Sequence, residues 1–312
     1  MQRTEIDVRH GKQGVCDFMI VTARPGLQQI ICEVWKPLAL LFIWDVFVTI
    51  TYYALPFQAP SLPLALFGSA LALFLGFRSN SAYQRWWEGR MLWGLMINAS
   101  RNLARQAGSF LPVEAIDARR SIVVRQIAYV NALRCQLRRQ DPGGEITKSL
   151  PSGEAEAALA RTNSANAVLD GIGRQINAAR AKGWIDTIQQ SRMESVLIDI
   201  ANAQGGMERL KNTPLPMQYR FFPTFFTHLL CILLPIGLIE ALGLATPLGS
   251  TIAGLMFLAV LAIGDDLVDP FADSPHDLPL SAMCRTIEID LLQGLGAPAP
   301  KPLSPDANGI LW

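Results

Sequence analysis

The sequence predicts an all-α membrane protein, with four membrane-spanning helices in two pairs and a large helical domain between the pairs. Three observations predict it. Half of the 312 residues are hydrophobic and only 17% are charged, against about 25% in an average soluble chain. The apolar residues are gathered into bilayer-length runs. The charges lie almost wholly on one side of those runs. Composition also argues against a disordered chain or a basic nucleic-acid-binding domain, because 27 Lys and Arg are matched by 26 Asp and Glu.

The elements follow in order. Residues 1–28 read as a cytoplasmic segment and not as a cleavable signal peptide, because Glu5, Asp7 and Asp17 interrupt any apolar stretch. Pro37 to Leu55 is 19 residues with one charge, Asp45. Leu62 to Phe77 is 16 residues with none; the two belong to a membrane unit spanning 29–77. Phe221 to Ile239 is 19 residues and Leu248 to Ile263 is 16, both uncharged, within a second unit spanning 221–264. A span needs about 20 residues, so the shorter runs are expected to continue as helix beyond the lipid. Neither Pro56–Ser61 nor Glu240–Pro247 holds a Lys or Arg. Every Lys and Arg except Lys36 lies before the first span, between the second and third, or after the fourth. Cytoplasmic segments carry this excess, so both termini (1–28 and 265–312) and the central segment 78–220 are expected in the cytoplasm.

The central segment reads as helical. Leu111-Pro112-Val113 breaks the helix leaving span two. Glu114 to Arg139 resumes a helical pattern through Ile122, Val123, Ile127, Val130 and Leu133. Gln140 to Gly153 reads as a loop on its Pro and Gly content. Glu154 to Lys182 reads as one Ala-rich helix ended by Gly183. A further helix starts at Asp186, with a kink expected at Gly205-Gly206 and an end at Pro214 and Pro216. There is no G-x-G-x-x-G, Walker or C-x-x-C pattern, and no defensible catalytic constellation, so the chain is not expected to be an enzyme. The five cysteines and three histidines are scattered and suggest packing, not metal.

Span two carries the most informative spacing. Gly68, Ala72 and Gly76 recur every four residues, a smooth face that admits a neighbouring helix closely. Ser69, Leu73 and Phe77 form a second stripe turned by about 100°. Copies arranged about an axis would stack rings of these three, and apolar constrictions gate ions by dewetting; a lipid-facing stripe would read the same. The helix has no Gly-Pro break after Phe77 and is expected to run on to about Phe110, roughly 70 Å in all.

Arg85-Trp86-Trp87-Glu88-Gly89-Arg90, with Leu75-Gly76-Phe77 upstream, Asn212-Thr213-Pro214-Leu215-Pro216 before span three and Asp269-Pro270-Phe271 after span four, resembles the bestrophin family in its bacterial branch. The resemblance covers nearly the whole chain. It implies a homopentameric channel with one axial pore in a bacterial inner membrane, whose partners are itself, the lipid bilayer and permeant monovalent ions, with no nucleic acid. It places the apolar neck at Ser69, Leu73 and Phe77, where relatives usually carry a branched apolar residue in place of Ser69. It also implies a second, cytoplasmic constriction near Ile188, with Thr187 or Gln189 open to a one-residue slip.

Animal members are opened by calcium at an acidic run. Here the corresponding acids, Asp269, Asp273 and Asp277, are diluted by Ser274, Pro275 and His276. Calcium wants six to eight oxygens together, so no cofactor is expected to be required. The resemblance to bacterial members implies monovalent cations such as sodium. An anion (chloride) channel of the same architecture and a non-conducting membrane scaffold are the alternatives. Asp45 is expected to pair within the bundle with a neighbouring polar group such as Thr49; Arg85 is expected to make a structural ion pair.

Overall fold

The computed structural model describes residues 27–55, 60–306 and 310–311, with side chains from Val34 onward. The expected N-terminal segment with Cys16, the Cys32 side chain and most of the first outer connection lie outside the described residues. All regular structure among the described residues is helical: α1 (Leu27–Ala54), α2 (Leu64–Phe110), α3 (Ile116–Leu137), α4 (Gly143–Ser149), α5 (Ser152–Leu159), α6 (Ser164–Ala181), α7 (Thr187–Asn212), α8 (Met217–Leu242), α9 (Thr246–Asp266) and α10 (Leu280–Gly294).

Three apolar helical stretches are long enough to cross a membrane: Val34–Ala54, Leu64–Phe110 and Met217–Asp266. The third is folded on itself, so four apolar helices result. Gly243, at φ 56°, turns α8 into α9 through the short 3-10 segment Gly243–Ala245, a backbone conformation that a side chain disfavours. Cys231 of α8 and Leu258 of α9 then share one buried cluster with Val34 and Leu41 of α1. Leu71 and Leu75 of α2 meet Leu230, Leu234 and Leu261 in a second. Both clusters are small. Leu40, Ile43, Leu66 and Met256 stand outward, each more than 60% exposed. An apolar surface of this extent belongs against lipid or a partner subunit.

Beyond the apolar helices, one large core joins α2, α3, α6, α7 and α10 through Trp93, Met96, Tyr129, Leu133, Ile172, Met193, Ile200, Met207 and Ile287. At its centre the Tyr129 hydroxyl donates to Gln204 at 2.8 Å, and Glu208 Oε1 accepts from Gln136, Asn163 and Gln204. Burial, with the Glu208 charge nearby, pushes the Tyr129 phenol well up.

Several sequence expectations are corrected. The loop expected at 140–153 contains α4, because Ile146 is fully buried and draws the segment into a helical turn. The single helix expected over 154–182 is two: the Asn163 side chain accepts the Asn166 N–H at 2.9 Å and starts α6 afresh. Gly205-Gly206 does not interrupt α7. A helix for which the sequence reading named no element is α10, whose Leu280, Met283, Cys284, Ile287 and Leu291 are buried at helical spacing.

Candidate functional site

The long helix α2 organises the site. Its buried face runs Leu71, Leu75, Arg78, Ala82, Gly89, Trp93, Met96, and this face packs on α8 and α9 above and on α7 and α10 below. The opposite lane is exposed throughout: Ser69, Leu73, Phe77, Asn80, Gln84, Trp87, Met91, Leu95. Leu73 and Phe77 are 60% and 58% exposed, so neither helps to hold the protomer together. The Ser69 hydroxyl donates to Leu66 O at 3.0 Å, which ties it to its own helix. Of the small stripe, Gly68 lies near Phe257 of α9, while Gly76 has open space beside it and Ala72 is exposed. The second stripe is thus uncovered within one chain, and the small stripe is uncovered at Ala72 and Gly76. The charge nearest Ser69, Leu73 and Phe77, Arg78, is buried and paired with Asp265 at the end of α9, which leaves the lane from Ser69 to Gln84 without net charge.

The sequence motifs meet in a knot where the apolar helices join the large core. Arg85 reaches across to three backbone carbonyls: Val268 O at 3.0 Å, Thr213 O at 2.8 Å and Leu210 O at 2.6 Å. The expected ion pair is replaced by a staple, because the ends of α7 and α9 present carbonyls with no helical partner. Burial lowers the Arg85 pKa, opposed by the charges of Asp269 and Glu88. A side chain at Gly89 would meet Pro270, Phe271 and Leu278 at 3.1–3.3 Å, so the Asp269-Pro270-Phe271 turn docks where α2 has no Cβ. Gly89→Val is expected to destabilise by about 1–3 kcal/mol; a lowered thermal midpoint of the purified protein checks it. Trp86 donates to His276 O at 3.2 Å, a packing role. Asp45 is fully buried between α1 and α9, where its carboxylate accepts from Ser250 and Thr251 at 3.0 and 2.9 Å. Thr49, the expected partner, donates to the Asp45 backbone carbonyl instead.

The acidic turn does not gather. Asp269 pairs with Lys211 at 2.7 Å, Asp273 with Arg138 at 2.8 Å, and Asp277 accepts the Ser274 N–H at 2.6 Å. Among the described residues no three His, Cys, Asp or Glu side chains form a metal-holding group. Two cations stand where a calcium ion would supply charge, so these residues do not fit that ion. Burial pushes the Asp277 carboxyl up, and its Oδ1 is buried without a hydrogen bond. The folded state therefore holds a proton there more tightly than the unfolded chain does. That contribution favours the fold in acid and is lost as pH rises through the folded pKa. Asp277→Asn is expected to gain on the order of 1 kcal/mol over wild type at pH 7 and to lose this advantage toward pH 4; thermal midpoints across that range check it.

Ile188 sits in the first turn of α7 and is 72% exposed. Its neighbours have other employment. The Gln189 side chain accepts the Asp186 N–H at 2.9 Å, closing a capping box in which Asp186 accepts the Gln189 N–H at 2.7 Å. Thr187 accepts from Arg180 at 3.2 Å. α7 runs antiparallel to α2, with Arg209 on Glu88, which sets Ile188 roughly 45–50 Å from Phe77 by helix rise.

A family model described as bacterial/fungal bestrophin protein matches residues 16–293. The voltage-dependent anion channel-forming protein mll4386 of Mesorhizobium japonicum is 36% identical over 241 residues, 77% of each chain. The voltage-dependent anion channel-forming protein YneE of Salmonella typhi is 34% identical over 85% of this chain and 87% of its own. The crystal structure of a bacterial bestrophin homolog from Klebsiella pneumoniae superposes with a TM-score of 0.81 at 35% identity, covering 85% of this chain and 99% of that one.

Proposed function

The chain belongs to the bacterial and fungal bestrophin family of ion channels, and from that premise we propose that five copies enclose one axial pore for small monovalent anions in a bacterial inner membrane. The observation that carries the pore reading is the α2 lane: Ser69, Leu73 and Phe77 are one turn apart, exposed, and free of any role in the protomer's core. In this reading they form the neck, the Gly68-Ala72-Gly76 face packs subunit to subunit, and Ile188 forms the cytoplasmic constriction. The four apolar helices cross the bilayer, with both termini in the cytoplasm.

The sodium preference implied by the resemblance finds no support in the relatives, whose names specify anions. The neck does not favour either sign, since Arg78 is neutralised by Asp265. The anion reading rests on those names. Reversal potentials of the purified protein in asymmetric sodium chloride test it: a reversal near the chloride potential is expected, and one near the sodium potential refutes it. The mass of the detergent-solubilised assembly tests the five-fold count.

A further inference from the structure

Resting on that pore reading, we infer that the sign of the ion is selected at the cytoplasmic mouth, by a basic rim of Arg180, Lys182 and Arg192 beside each Ile188. Between residues 180 and 192 the charged side chains are these three cations and Asp186. Asp186 is turned onto its own helix end, where it caps the Gln189 N–H. Arg180 donates to Thr187 and is thereby held beside the first turn of α7. Lys182 lies 4.5 Å over the Trp184 ring. Both are exposed, and neither is matched by a carboxylate among the described ion pairs. Arg192, likewise exposed, is one turn beyond Ile188 on the same face, about 6 Å along the axis.

Distance decides which charge matters. Screening falls off over about 8 Å at physiological salt. The next acid on this face, Asp199, is about 16 Å from Ile188 by helix rise, beyond that length. Glu194 lies on another face, and burial pushes its carboxyl up, against its charged form. Each chain therefore brings a net positive charge to the mouth, while the neck brings none. A ring of such charges raises the local anion concentration and repels cations.

The test is the reversal potential in a bilayer under a sodium chloride gradient for wild type, Arg192→Lys, Arg192→Glu and Lys182→Glu/Arg192→Glu. The side chains are exposed, so the fold is retained. The rim predicts chloride-side reversal for wild type and Arg192→Lys, and a roughly tenfold fall in anion-to-cation permeability for Arg192→Glu, larger in the double variant. An unmoved potential in the double variant, or a wild type reversing at the sodium potential, overturns the rim. Ile188→Ala separates the two ideas. If it raises conductance while the double variant leaves the potential unmoved, the constriction stands and the rim fails. If Ile188→Ala changes nothing, the cytoplasmic mouth and the rim fail together.

Discussion

Phe77→Ala is expected to raise unitary conductance roughly two- to tenfold while leaving the protein folded and assembled. The side chain is largely exposed in the protomer, so its loss removes almost no packing inside the chain. In a ring of copies it removes the widest apolar obstruction at the inner end of the neck. Leu73→Ala acts in the same direction. Leu75→Ala is the contrasting control two residues away: Leu75 is 2% exposed, packed among Leu71, Leu230, Leu234 and Leu261, and its truncation costs about 2–5 kcal/mol. Currents from single channels in planar bilayers distinguish them. If Phe77→Ala and Leu73→Ala both conduct like wild type, the neck is elsewhere.

Arg85→Ala is expected to be the most damaging substitution outside the core. It releases three carbonyls at once, on Leu210, Thr213 and Val268. The ends holding Thr213 and Val268 belong to different parts of the molecule, since α7 packs in the large helical core and α9 among the apolar helices. One guanidinium thus fixes how that core sits against the apolar helices. Charge-assisted hydrogen bonds of this kind contribute about 1.5–3 kcal/mol each, with much overlap, so a loss on the order of 3 kcal/mol follows. Arg85→Lys keeps the charge but not the three-way reach, and is expected to recover only a minor part. Thermal unfolding of the three proteins checks the order; an Arg85→Ala midpoint equal to wild type contradicts the staple.

The apolar helices were legible because bilayer-length runs are a strong signal, and α2 ends at Phe110 where Leu111-Pro112 forces it to. That Ser69, Leu73 and Phe77 share one exposed face of α2 was legible because helical spacing survives without a partner chain; their role as a neck is the proposal. The Asp186 start of α7 was legible, and there the Asp186 side chain caps the helix. The misses have physical causes. Pro and Gly at 142–144 read as a loop, yet burial of Ile146 outweighed local preference. Asn163 was hidden in an Ala-rich stretch, although an Asn followed by Ser is an ordinary helix start. The 3-4 spacing of Leu280, Met283, Ile287 and Leu291 was available to reveal α10. The Arg85 staple was not readable at all, because its acceptors are backbone carbonyls 125 to 183 residues away, and composition does not reveal carbonyls. The acids at 269, 273 and 277 looked available in sequence because Lys211 and Arg138 approach them only in three dimensions.

The central claim is that this chain conducts ions. Chloride and sodium flux into sealed vesicles reconstituted with the purified protein tests it most directly. Flux that rises with protein content, and rises further with Phe77→Ala, is expected. Vesicles that stay as tight as protein-free ones, with correctly assembled protein in the membrane, would contradict it and leave the chain a membrane scaffold.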